Sequence, residues 1–142
     1  MVERIDFYIL EDARPQAVER FTCRLVEKAF EQKHTIYLRS ADEKQLATLD
    51  QLLWTFRQGS FLPHATAAHR DGEPIVLGME TPEPTEFDLL VNLAADIPTQ
   101  WEAFHRLAEI VGPAQVEAAR GRFRHYRRAG IEPHYHKLAS LA

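Results

Sequence analysis

Arg4-Ile5-Asp6-Phe7-Tyr8-Ile9-Leu10 crowds β-branched and aromatic residues into one short run, which reads as a buried strand. Glu11 to Pro15 end it, and Pro15 suits the first turn of a helix. Val18, Phe21, Thr22, Leu25, Val26, Ala29 and Phe30 then recur at three- and four-residue steps, one apolar stripe along a helix. His34-Thr35-Ile36-Tyr37-Leu38 is a second strand. A strand, a helix and a strand of these lengths predict a parallel βαβ unit.

Further along, Ser40 stands three residues before Glu43, the reciprocal capping pattern that opens a helix. Leu46, Leu49, Leu53 and Phe56 supply its buried stripe, with Leu52 beside it and Trp54 on a different flank. Residues 57–74 show no period and read as a long loop, apolar only at Phe61-Leu62-Pro63. Ile75–Gly78 and Phe87–Leu93 read as strands, and Thr99 to Phe104 as a short helix. Leu107–Val111 suits a strand or a helix. The last helix follows Gly112-Pro113, runs to about Ala129 and stops at Gly130, leaving an extended tail with Pro133. The expected fold is α/β: an open, mostly parallel sheet with helices on both faces.

The chain has 142 residues, 45% of them apolar, enough for a single domain over residues 1–142 with one sizeable core. No apolar run is long enough to span a bilayer or to serve as a signal peptide, and the one cysteine, Cys23, forms no internal disulfide. A cytoplasmic protein is expected. The net charge of −4 conceals a division. Residues 1–70 balance, residues 71–109 carry −8, and residues 110–142 carry +4. The basic end should attract something anionic.

An α/β pattern suggests a nucleotide-binding enzyme, but the six glycines are scattered and form no Gly-x-Gly-x-x-Gly turn. The turn after the first strand offers Glu11 and Asp12, which repel a pyrophosphate, and Pro15, which lacks a donor. There is no Gly-Lys-Ser/Thr loop and no nucleophile elbow. The fold is thus Rossmann-like without a phosphate-binding loop, and no cofactor is expected. Cys23, beside the Phe21/Leu25 stripe, reads as a small buried hydrophobe, and His134-x-His136 lacks the further ligands of a metal site. Catalytic and metal-binding residues are expected to be absent.

Two surface constellations remain. In the last helix Val116, Ala119, Phe123 and Tyr126 form an inward stripe. Arg120, Arg124, Arg127 and Arg128 lie beside it as one-turn neighbours, with Arg122 and His125 expected to widen the positive surface. Five arginines within nine residues suit forked binding of carboxylates or phosphates. Duplex or single-stranded nucleic acid is one candidate ligand, opposed by the −8 middle of the chain. A short acidic peptide ending in an apolar residue fits better, its last side chain entering a recess walled by Phe123, Ile131 and Tyr135. The second constellation is Trp54 with the Phe61-Leu62-Pro63-His64 loop, an expected aromatic docking patch.

Phe7-Tyr8-Ile9-Leu10, Asp42-Glu43-Lys44-Gln45, Leu49-Asp50-x-x-Leu53-Trp54, Ser60-Phe61-Leu62-Pro63-His64 and Tyr126-Arg127-x-Ala129-Gly130 together resemble the chi subunit of bacterial DNA polymerase III holoenzyme over nearly the whole chain. The resemblance implies a non-catalytic accessory subunit with an α/β fold. Such a subunit links the clamp loader, through psi, to the acidic C-terminal tail of single-stranded DNA-binding protein (SSB), which ends in aspartates and Ile-Pro-Phe. It implies a tail site at Arg120, Phe123 and Arg124, supplemented by Arg127 and Arg128, with Tyr135 near it. It also implies psi contacts at Trp54 and Phe61, with Leu62 and Pro63 in the same loop, and a helicase-like alternative partner in some bacteria. Nucleic acid would be met only indirectly. One departure is Val116, where chi proteins carry a lysine. A nucleotide-binding enzyme and direct DNA binding by the basic helix are the alternatives.

Overall fold

Alternation along the strands is what lets one sheet bury both faces. Strand β1 (Arg4–Leu10) sends Ile5, Phe7 and Ile9 to one side and Tyr8 and Leu10 to the other. The same two-residue period divides β2 (Ile36–Arg39), β4 (Ile75–Gly78), β5 (Leu89–Asn92) and β6 (Arg106–Val111). Helices α1 (Ala17–Glu31) and α2 (Glu43–Thr55) cover the first face through Cys23, Val26, Leu49, Leu52 and Leu53. Helix α3 (Val116–Arg128) covers the second through Ala119 and Tyr126, joined by Phe87, Trp101 and Phe104. This computed structural model describes residues 2–59 and 61–139.

With β3 (His64–Thr66) and β7 (His134–Leu138), the sheet has seven strands among the described residues, all parallel, in the order β3-β4-β2-β5-β6-β1-β7. The α/β expectation, with helices on both faces, holds. The opening strand–helix–strand unit is parallel, but β1 and β2 are not neighbours; β6 and β5 lie between them. Leu107–Val111 is strand, and residues 99–104 hold only a 3₁₀ turn at Trp101–Ala103.

Three local expectations are corrected. Ser40 does not cap α2: it is buried, and its hydroxyl meets no partner among the described residues. Asp42 is the cap, accepting from the Gln45 backbone N–H at 2.8 Å, while the Gln45 side chain accepts from the Ala41 N–H at 2.8 Å. The long loop 57–74 contains β3 and a 3₁₀ turn at Ala67–His69. The tail after Gly130 is the edge strand β7, parallel to β1. Gly130, at φ +96°, ends α3 in the left-handed conformation, and Ile131 N–H bonds back to the Tyr126 carbonyl at 3.1 Å.

Gly78 closes β4 where a side chain has no room, since a Cβ there would stand 2.0 Å from the hydroxyl of buried Tyr37. Gly78→Ala should therefore cost about 1–3 kcal/mol of stability by overpacking, read as a lower denaturation midpoint; an unchanged midpoint would show that Tyr37 moves freely.

Candidate functional site

The position of β7 beside β1 creates a concavity. Its alternation turns Tyr135 and Lys137 toward α3, and His136 toward the α1 side, where it stacks on Tyr8 with centroids 4.9 Å apart. Between α3 and β7 lies a largely apolar recess of about 440 Å³. Buried Phe7 and Val111 contribute to its lining with Ile9, Val116, Ala119, Phe123 and Tyr135, and exposed Arg120, Lys137 and Glu11 supply its charges. Phe123 is wedged between Phe7 at 5.2 Å and Tyr135 at 6.4 Å, the latter edge-on.

Of the residues selected from sequence, the recess gathers Arg120, Phe123 and Tyr135. Arg124, Arg127 and Arg128 are exposed on α3 outside its lining. Arg120 is tied to Glu117 one turn before it, and Arg127 to Glu132 at 3.1 Å. Ile131 does not wall this recess; with Val2, Trp101 and Ala129 it lines a separate hollow at the far end of α3. Lys137 escaped the sequence reading. Its signal was the two-residue step from Tyr135, which carries meaning only once the tail is taken as a strand.

Arg122 does not widen the positive surface. It is buried and donates from Nε to Glu109 Oε1 at 3.1 Å and from a terminal nitrogen to the Ala95 carbonyl at 2.7 Å. Glu109, wholly enclosed in β6, also accepts from Asn92 at 2.9 Å and from the Tyr126 hydroxyl at 2.7 Å. Burial pushes the Glu109 carboxyl above its ordinary pKa, against the opposing pull of Arg122, Tyr126 and Asn92. Arg39 continues the network, bonding the Asn92 side chain at 3.2 Å and Asp96 at 2.8 Å. This network ties the inner face of α3 to three strands, at Arg39 of β2, Asn92 of β5 and Glu109 of β6.

On the opposite helical face of the molecule, α2 buries Leu49, Leu52 and Leu53, and Trp54 comes next, rotated away from them and 52% exposed. Phe61 is 68% exposed, with its ring centroid 6.0 Å from that of Trp54. Leu62, expected on the same patch, is instead buried in the core, and Pro63 is half-buried. The exposed patch is thus Trp54 and Phe61; Ser60 of the same motif lies outside the described residues. His64, expected in the same docking loop, is instead buried under Trp54, ring centroids 4.3 Å apart.

Cys23 is buried in α1, and burial pushes its thiol up to about 12, which fits an inert apolar neighbour. After β1, the Asp12 carboxylate accepts from the Arg14 backbone N–H at 3.0 Å and pairs with the Arg14 guanidinium. His136 faces Asp6, Nε2 to Oδ1 at 2.9 Å; burial draws Asp6 upward, but hydrogen bonds from Arg4 and His136 prevail and hold it below its ordinary pKa. Among the described residues no three His, Cys, Asp or Glu side chains stand together to hold a metal ion, and no helix is long and apolar enough to cross a membrane.

The family model described as "DNA polymerase III chi subunit, HolC" matches residues 2–134. A DNA polymerase III subunit chi of Pseudomonas aeruginosa is 42% identical over 140 residues, covering 97% of this chain and 99% of that one. Subunit chi of Escherichia coli is 27% identical over 134 residues, covering 88% and 91%, and that of Haemophilus influenzae 24% over 135 residues, covering 92% and 94%.

Proposed function

The chain belongs to the DNA polymerase III chi subunit family, and from that membership we propose that it is a non-catalytic accessory subunit of the replicative polymerase. In this role it joins the clamp loader, through psi, to the acidic C-terminal tail of SSB during DNA replication in the cytoplasm. Nucleotidyl transfer belongs to other subunits, and single-stranded DNA is reached through SSB.

The observation that carries this reading is the recess between α3 and β7. Its apolar lining suits the terminal Phe of the SSB tail, and Arg120 and Lys137 bring cations to it from two elements. Arg120 is available, because an exposed ion pair such as the one it makes with Glu117 contributes only about 0–1 kcal/mol. Arg124, Arg127 and Arg128 extend positive charge along α3, where the aspartates upstream of the terminal residue would lie. Where chi proteins carry a lysine, Val116 adds to the apolar lining, and Lys137 supplies a cation from β7 instead. Trp54 and Phe61, an exposed aromatic pair outside this recess, suit the psi contact or a helicase-like alternative partner.

Calorimetric titration with a nine-residue SSB-tail peptide tests the assignment. Binding should weaken as salt rises, because much of the attraction is between exposed charges. It should fall roughly tenfold for Arg120→Ala, as for a lost charge-assisted hydrogen bond, and fail for a peptide without its final Phe. Equal binding by Arg120→Ala, or indifference to the final Phe, would exclude this recess as the tail site.

A further inference from the structure

A second hollow, of about 440 Å³, opens at the C-terminal end of α3. Val2, Trp101, Ala129 and Ile131 make it mainly apolar, and Glu102 supplies the charge on its lining. Trp101 is held there by the core, its ring edge-on to buried Tyr126 at 4.8 Å. Between this hollow and the recess runs a row of arginines. Arg120 lines the recess, and Arg124 and Arg128 follow it at four-residue steps, both exposed. Four residues overshoot one helical turn by about 40°, so the row does not run straight down α3. It winds from the recess flank across the outward face, toward the flank that carries His125 and Ala129. Arg124 and Arg128 make no ion pair among the described residues. Beside the row lies Gly121, exposed, where a Cβ would meet nothing within 4 Å. Glycine weakens a helix interior, and neither its φ nor a crowded neighbour calls for it here. It leaves bare backbone, low enough for a second chain to cross.

We propose that the hollow at Trp101 is a second anchor for the acidic tail: the chain crosses α3 over Gly121, and an apolar side chain upstream of the aspartates enters the hollow. This rests on the reading of the recess as the site of the terminal Phe. The order on the protein is apolar recess, three cations, apolar hollow, which complements an acidic stretch with an apolar side chain at each end. Glu102 repels the aspartates from the hollow and keeps them over the arginines. The path runs about 13 Å along the axis and more than halfway around a helix about 10–12 Å across. That is about 20–25 Å, or about six to eight residues of extended chain.

The test titrates the intact protein with acidic peptides of about ten residues ending in Ile-Pro-Phe. Each carries one further Phe, placed from four to eight residues before the end, and a control carries Ser instead. Affinity should peak with the added Phe six to eight residues before the terminal one, about tenfold above the control, as for one buried aromatic side chain. Only those peptides should shift the Trp101 indole N–H in NMR spectra. Gly121→Leu, which favours the helix, should unfold no earlier than the native chain yet lose the tenfold gain. A peptide of only the last four residues should bind that variant as it binds the native chain. Affinity indifferent to where the added Phe stands, or a Trp101 resonance that never moves, would overturn the second anchor even if Gly121→Leu folds poorly. If the terminal Phe proves dispensable, the recess reading falls, while a Trp101 shift that follows the added Phe still upholds the hollow.

Discussion

Arg122→Ala is expected to lower the unfolding free energy by about 3–5 kcal/mol, the cost of leaving a buried charge without its partner. The carboxylate of Glu109 is wholly enclosed, and without Arg122 it keeps only Asn92 and the Tyr126 hydroxyl as donors. Against a total stability of about 5–15 kcal/mol for a domain of this kind, that loss is large. The pH dependence has a definite sign. Glu109 already has its folded pKa raised above the unfolded value by burial. Its contribution is complete below the unfolded pKa and is lost as pH rises through the folded one. Removing Arg122 pushes the folded pKa higher still, so the deficit of the variant should widen from acid to neutral pH. Denaturant unfolding at several pH values measures this. The double variant Arg122→Met with Glu109→Met should be less damaging than the two single changes added together, because it buries no lone charge. An Arg122→Ala loss within about 0.5 kcal/mol would mean the network contributes no more than an ordinary surface position.

Tyr135→Ala is expected to weaken SSB-tail binding by about 2 kcal/mol or more, roughly 30-fold, as for a central aromatic anchor. The substitution separates binding from folding unusually well. Tyr135 is 61% exposed on an edge strand, so its loss should cost the fold under about 1 kcal/mol, mostly from the edge-on contact with Phe123. Tyr135→Phe keeps the ring and should bind nearly as the native chain does. The measurement is a peptide titration paired with thermal unfolding. Native affinity in Tyr135→Ala would place the terminal Phe elsewhere, and a collapse of the unfolding midpoint would recast Tyr135 as a structural residue.

The central strands were legible because both their faces are buried, which leaves near-continuous apolar runs such as Ile75–Leu77 and Leu89–Val91. The two edges were not. His64-Ala65-Thr66 and His134-Tyr135-His136-Lys137-Leu138 each pair on one side only and carry polar residues that conceal their strand character. On the β7 side of the recess, Tyr135 could be named from sequence but Lys137 could not. The misplacement of Arg122 has a different origin. Ala119, Arg122 and Tyr126 share one helical face, so spacing alone puts Arg122 inside; grouping it with its charged neighbours sent it outward. The acidic residue inside Leu107-Ala108-Glu109-Ile110-Val111 was the matching sign that a buried cation was required. Leu62 shows the converse, since an apolar residue beside exposed Phe61 is itself core. The family resemblance was readable from local motifs because it needs no knowledge of which way each side chain points.

The place of β1 in the sheet also bears on how the chain acquires its shape. Its two neighbours are β6 and β7, so Phe7 lies opposite Glu109 on one side and Tyr135 on the other. β1 is made before the strands it pairs with and thus waits for segments about a hundred residues further along the chain before its hydrogen bonds can close. Local hairpins cannot relieve that wait, because every pairing in the sheet is parallel. Such non-local closure makes folding slow and leaves the apolar residues of β1 uncovered in the growing chain. The late strand β7 completes the recess and covers one edge of β1 in the same step, so formation of the recess and completion of the sheet are one event.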